Sequence, residues 1–172
     1  MKVILVFVQS LDGKITKWGY PIVRSWSSKE DQDYFSSLMK KSELTVVGSN
    51  TYNFDPFKPS PGHLLVVMTG HPELYRTIQG SIEFSNLSPT ELVKEYSARY
   101  DQMLMVGGPH LATSFFTENL IDEIWLTIEP KIFGSGGNFV TDQNLDIRLQ
   151  LKSLEKINNS GTLILKYSVL KL

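Results

Sequence analysis

Apolar runs that stop at glycine and turn at once toward a helix constrain this chain more than any other feature of its sequence. The fullest case is Leu104-Met105-Val106-Gly107-Gly108-Pro109-His110-Leu111. An apolar run bounded by glycine reads as a buried strand. Two glycines at its carboxyl end admit backbone shapes closed to residues with a Cβ. Proline suits the first turn of a helix, and a helix start offers free N–H groups to a phosphate. Taken alone, the pair is equally compatible with a tight strand-to-helix turn that binds nothing.

The pattern recurs. Leu44-Thr45-Val46-Val47 leads into Gly48-Ser49-Asn50-Thr51-Tyr52, and Leu64-Leu65-Val66-Val67-Met68 leads into Thr69-Gly70-His71-Pro72. Val3 to Val8 is continuously apolar, as in a central strand covered on both faces. Ile82-Glu83-Phe84 reads as a short strand, and Pro89 to Ala98 as a helix with Ser88 as its N-cap. A strand is expected over 121–129. Leu149 to Ile157 and Thr162 to Leu170, joined by Asn158-Asn159-Ser160-Gly161, read as a C-terminal hairpin. Strands alternate with helices and then stand alone. The fold class is therefore α/β: a mostly parallel central sheet flanked by helices, with an antiparallel hairpin at one edge. Ligands of such sheets bind at the carboxyl ends of the strands. Three junctions converging there point to a nucleotide or dinucleotide.

The other segments are less regular. Ser27-Ser28-Lys29-Glu30 matches a capping box, Ser with Glu three residues on, so a helix is expected from Ser28 to about Lys41. Asp31, Phe35 and Leu38 share one face of it. An acid on an apolar face is unusual. Asp31 either sits at the helix edge, favouring the N-terminal dipole, or serves a pocket. The loop carrying Trp18, Gly19, Tyr20 and Pro21 is long for a connection, as lids and binding loops are. An irregular, proline-rich stretch is expected over 53–61.

Composition excludes several classes. The 172 residues are 41% hydrophobic and 20% charged, with net charge −1, so no basic block suits nucleic acid or a membrane surface. There is no cysteine. His63, His71 and His110 lack metal-ligand spacing, so no metal site is expected. The N-terminal apolar run is too short for a signal peptide, and no segment is long enough to span a bilayer. The expectation is one domain over residues 1–172 in the cytoplasm.

Gly48-x-x-Thr51, the Val67-Met68-Thr69 strand end, Val106-Gly107-Gly108 and Asp122-Glu123-Ile124-Trp125-Leu126-Thr127-Ile128 follow one another as in the dihydrofolate reductase superfamily, which the whole chain resembles. Ser10-Leu11-Asp12-Gly13-Lys14-Ile15, Trp26-Ser27-Ser28 and Glu129-Pro130 with Gly134-x-Gly136 are more similar to one branch. That branch holds the C-terminal reductase domain of the riboflavin-biosynthesis deaminase/reductase and its stand-alone relatives.

The resemblance implies a reductase that passes hydride from NADPH to a pteridine- or pyrimidine-like heterocycle. It implies that Gly48, Ser49, Thr51, Gly107, Gly108, His110 and Leu111 hold the pyrophosphate, and that Thr69 and Gly70 lie near the adenosine ribose. The loop from Asp12 to Tyr20 would cover the nicotinamide. Asp31 would be the catalytic acid, held by Thr127, with Asp12, Phe35 and His63 in the substrate site. The Gly107–Gly108 peptide would be cis, and a homodimer would be the assembly. Ser49 stands where an Arg is common, and Gly70 follows Thr69 where a basic residue is common. NADH is therefore not excluded. His63 stands where related enzymes carry Arg, and Val106 where the riboflavin enzymes carry Glu. Two other readings stay open: the riboflavin-pathway 5-amino-6-(5-phosphoribosylamino)uracil reductase, with Lys14, Lys17 and Arg24 as candidates for a substrate phosphate, and a nucleotide-binding module without catalysis.

Overall fold

The computed structural model describes residues 1–56 and 60–171. Its described residues form an eight-stranded sheet. The strands are β1 (Lys2–Ser10), β2 (Leu44–Gly48), β3 (Leu64–Met68), β4 (Ile82–Ser85), β5 (Gln102–Met105), β6 (Glu123–Glu129), β7 (Arg148–Lys156) and β8 (Leu163–Leu170). They lie in the order β4-β3-β2-β5-β1-β6-β8-β7. The first six are parallel. β8 runs antiparallel to β6 and closes the hairpin with β7. The helices are α1 (Lys29–Lys41), α2 (Ser49–Phe54), α3 (Pro89–Ser97) and α4 (Pro109–Thr117). Among the described residues no helix is long and apolar enough to cross a membrane.

The continuous apolar strands are covered on both faces. Val3, Leu5, Val46, Val66, Met103 and Met105 face one way, and Leu92 of α3 with Leu111, Phe115 and Phe116 of α4 pack on them. Ile4, Val6, Val47, Val67 and Leu104 face the other way, against Phe35, Leu38 and Met39 of α1. Phe115 is fully buried. A side chain of that class stabilises the fold by about 1.5–3 kcal/mol through burial alone.

Helix ends follow local chemistry, with one correction. Ser88 caps α3 with the reciprocal Glu91 contact expected of a capping box. α1 is capped by Ser28 rather than Ser27: the Ser28 side chain accepts from the Asp31 N–H at 3.2 Å. The residue three after the true cap is therefore Asp31, and its carboxyl is buried instead of reaching back to the cap. Glu30 turns outward and accepts from Asn158 at 3.2 Å. The irregular stretch expected over 53–61 falls partly outside the described residues, and Asn53 and Phe54 complete α2. The strand expected from Ile121 begins at Glu123, with Ile121 buried just before it.

Candidate active site

The sheet order brings the three glycine junctions together. β3, β2 and β5 are neighbours, so the turns after Met68, Gly48 and Val106 open side by side at their carboxyl ends. Gly48, Ser49, Thr51, Thr69, Gly70, Gly108, His110 and Leu111 line a cleft of about 380 Å³. Asn50 and Ser85-Asn86-Leu87 line it too. The last three span the end of β4, a fourth junction whose short strand carries no glycine signal. Among the described residues no Lys or Arg lines this cleft.

Both helices that open on the cleft start at a glycine, Gly48 for α2 and Gly108 for α4, and no side chain caps either start. Their first-turn N–H groups are thus available to an anion. A Cβ on Gly108 would sit 3.0 Å from Thr51 Oγ1, so the two junctions approach closely there. The Gly107–Gly108 peptide is cis, as the resemblance implies, and Gly107 has φ +73°. These features suit the pyrophosphate of a dinucleotide.

A larger cavity of about 720 Å³ lies on the α1 face of the sheet. It meets the cleft along Asn50, Thr51, Gly108 and Pro109, which line both. Asp31, Phe35, His63, Gly107 and Thr127 line it too. Val8 pairs with Thr127 and Ser10 with Glu129, so Thr127 and Glu129 both point from β6 toward α1. Asp31 is 5% exposed and Thr127 2%. Burial pushes the Asp31 carboxyl above the ordinary carboxylate range. The adjoining Thr127 and Ser27 hydroxyls pull it down, and the Glu129 carboxylate pushes it up. A carboxyl so placed is suited to pass a proton to a ring nitrogen.

Other side chains reach the cavity that the sequence did not single out as site residues. Ser27 Oγ is buried and closes no hydrogen bond of its own among the described residues. Tyr34 OH is likewise unpartnered, and burial together with the Asp31 and Glu155 carboxylates pushes its phenol up to about 12. Their only signal was position, one just before a helix cap and one on a helix face.

Some expected residues have other work. Asp12 does not line the cavity. Its carboxylate accepts from Ser10 Oγ at 2.6 Å, Phe133 N at 3.1 Å and Gly134 N at 2.8 Å. The Ser10 hydroxyl and those two amides hold it down to about 2. Asp12 therefore fastens two loops together. Within its loop, Ile15 and Thr16 reach the cavity, whereas Trp18 and Tyr20 are exposed. His63 is in the wall, but its Nε2 lies 2.9 Å from Thr45 Oγ1 and burial lowers its pKa. It is neutral at pH 7 and a poor grip for an anion. Lys14 bonds Asn138, and Lys17 lies over the Trp18 ring; neither lines the cavity. Arg24 does, paired with Asp55 at 3.2 Å. Lys40 also lines it.

Comparisons with known proteins agree with this geometry. The chain is 26% identical over 171 residues to the uncharacterised protein YwjB of Bacillus subtilis, covering 92% of this chain and 94% of that one. The fold is similar to the diaminohydroxyphosphoribosylaminopyrimidine deaminase/5-amino-6-(5-phosphoribosylamino)uracil reductase of Thermotoga maritima, with TM-score 0.76, 16% identity, and coverage of 98% of this chain and 56% of that one. It is also similar to dihydrofolate reductase from Enterococcus faecalis complexed with NADP(H), with TM-score 0.67, 19% identity, and coverage of 99% and 97%. The family model that describes the RibD C-terminal domain matches residues 1–163, and the chain belongs to that family, within the dihydrofolate-reductase-like fold.

Proposed function

We propose that this protein is an NADPH-dependent reductase that adds hydride and a proton across a C=N bond of a pteridine- or pyrimidine-like ring. One observation carries the reading: a buried acid, Asp31, faces a ring-sized cavity that opens directly onto a cleft built from uncapped helix starts. The dinucleotide-binding Enterococcus relative and the RibD family match support it.

The first-turn amides after Gly48 and Gly108 hold the pyrophosphate, with Thr51, His110 and Leu111 beside it. Thr69 and Gly70 lie at the ribose end. The cofactor, when bound, supplies the hydride. Phe35 and Val8 pack against the flat ring and exclude water. Asp31 donates its proton to the ring nitrogen next to the carbon that accepts hydride, and Thr127 orients the carboxyl. Electrons balance, since hydride carries two and the proton none. Asp31 regains its proton from solvent after product leaves.

A second reading, the riboflavin-pathway 5-amino-6-(5-phosphoribosylamino)uracil reductase, is favoured by the family itself. Its phosphate would meet Arg24 or Lys40, the basic residues on the cavity wall. A homodimer is supported by the edge strand β7, where Leu149, Leu151 and Leu154 are exposed on one face of the sheet.

The test is loss of reduced-nicotinamide absorbance with a dihydropterin, dihydrofolate and the phosphoribosylated aminopyrimidine in turn. Turnover of one identifies the substrate class. Tight NADPH binding without turnover of any ring would overturn the reading in favour of a nucleotide-binding module.

A further inference from the structure

Glu129 is 1% exposed, and the reaction as described leaves it without a part. No ion pair involves it among the described residues. Its Oε1 accepts from the Ser28 N–H at 2.6 Å, and its Oε2 from Thr162 Oγ1 at 2.8 Å. Ser28 is the cap of α1, and its own hydroxyl accepts from the Asp31 N–H. Two hydrogen bonds in series thus run from the Glu129 carboxylate to the backbone of Asp31.

The far side of the network closes as well. Thr162 Oγ1 also accepts from Asn158 Nδ2 at 2.9 Å, and that same amide donates to Glu30 Oε2 at 3.2 Å. The turn between β7 and β8 is therefore tied to the first turn of α1 by two routes, one of them through Glu129. A buried carboxylate is costly unless hydrogen bonded, and here two donors meet it. Glu129 lies on the same face of β6 as Thr127, two residues on, so both reach the first turn of α1.

We propose that Glu129 is a positioning residue for Asp31: it fastens the first turn of α1 to β6 and β8 and holds a second acid beside the pocket acid. The groups facing Asp31 fit that role. β6 presents Thr127 and Glu129, the segment before α1 presents Ser27, and α1 presents the Tyr34 phenol with Glu155 of β7 behind it. No cation pairs with Asp31 among the described residues. The neighbouring ammonium of Lys131 bonds the Trp26 carbonyl. Glu129 thus stands beside Asp31 with no ion-pair partner among the described residues, and its carboxylate works to raise the Asp31 pKa.

This inference rests on Asp31 being the pocket acid, and the two are tested apart. Asp31→Asn tests the acid by turnover. The role of Glu129 is read from the ionisation of Asp31 itself, by carbon-detected NMR of carboxyl-labelled protein over a pH series, with no substrate present. Glu129→Gln keeps an acceptor for Ser28 N–H and can bond Thr162, but it removes the charge. Asp31 should then titrate at lower pH than in the wild type; an unchanged titration overturns the proposal. Should Glu129→Gln not fold, a second variant decides. Thr162→Val leaves the charge and loosens the clamp. It should speed amide exchange at Asp31 N–H, and wild-type protection there would refute the fastening role.

Discussion

Gly136→Ala tests how the cavity wall is held. The loop after β6 lies against the loop after β1. Ile15 N–H donates to Gly137 O at 2.9 Å, Gly137 N–H to Thr16 Oγ1 at 2.7 Å, and Trp18 N–H to Ser135 O at 3.2 Å. Ile15 and Thr16 are the residues of this zipper that line the cavity. Gly136 has φ +147°, and a Cβ there would fall 2.0 Å from Thr16 O and 3.1 Å from Thr16 C. Ordinary C···O contact begins at about 3.3 Å, so the overlap is roughly 1.3 Å. The obstacle is backbone, and no side-chain rotation relieves it.

The two loops must therefore part by about 1 Å, which breaks the Ile15–Gly137 and Gly137–Thr16 bonds. At roughly 1 kcal/mol each, that is about 2 kcal/mol. The unfavourable φ adds about 1 kcal/mol if the backbone keeps it. Opening the loops caps the cost near 2–3 kcal/mol, and Tm should fall by about 4–12 °C for a chain of this size. A 1 Å displacement of groups against the reacting ring can cost about a hundredfold in turnover. The cleft around Gly48 and Gly108 is not part of the zipper, so NADPH affinity should hold. Thermal unfolding, amide exchange at Ile15 and Gly137, and NADPH titration measure the three parts. Wild-type Tm with full protection at Ile15 and Gly137 would refute the reasoning.

Further outcomes follow from the same structure. Asp31→Asn should lower turnover by about 10²–10⁴-fold with little change in NADPH affinity. The same change should raise thermal stability. Burial holds the folded Asp31 pKa above its unfolded value, so ionisation of the unfolded chain costs the wild type stability as pH rises through the ordinary carboxylate range. The gain should be present at pH 7, disappear near pH 3, and be read by melting curves at both. Glu123 is the opposite case. Despite burial, which raises it, hydrogen bonds from Lys152, Trp125 and Lys2 hold it down to about 2, so its contribution is present above the unfolded value and lost as pH falls toward 2. Glu123→Ala should cost about 1.5–3 kcal/mol at pH 7 and far less near pH 2, by chemical denaturation at each pH. NADPH and NADH should differ by no more than about tenfold in Kd, because no guanidinium reaches the cleft among the described residues. A larger preference in side-by-side titrations would mean that a basic side chain moves in on binding.

Elements whose signal is local were legible in the sequence. Val3–Val8, Leu44–Val47 and Leu64–Met68 are covered on both faces, so their apolar runs are unbroken and easily read. Ser88 with Glu91, and the hairpin turn at Asn158–Gly161, carry their geometry within four residues. The cleft was legible for the same reason: each junction is a strand end plus glycine. What escaped depends on strand order. Ser85 to Leu87 join the cleft only because β4 lies beside β3. Asp12 was misplaced because an Asp-Gly turn next to a binding loop looks alike whether its carboxylate faces a ligand or the amides of Phe133 and Gly134, which are 121 and 122 residues away in the chain.

The acid side shows the same division at closer range. Helical spacing put Asp31 on the face of α1 that carries Phe35, and burial there follows from the spacing alone. Its chemistry does not. An acid on that face could have been neutralised by a lysine from any facing strand, and the pocket would then hold a carboxylate. β6 instead supplies Thr127 and Glu129, a hydroxyl and a second acid, because its alternation is set by pairing with Val8 and Ser10 of β1. A one-residue slip of that register would present Leu126 and Ile128 to α1. The Ser28 amide would then lose its acceptor, and Asp31 both its hydroxyl and its charged neighbour. The register of two parallel strands thus decides whether the buried acid has a hydroxyl and a second acid beside it or only apolar side chains.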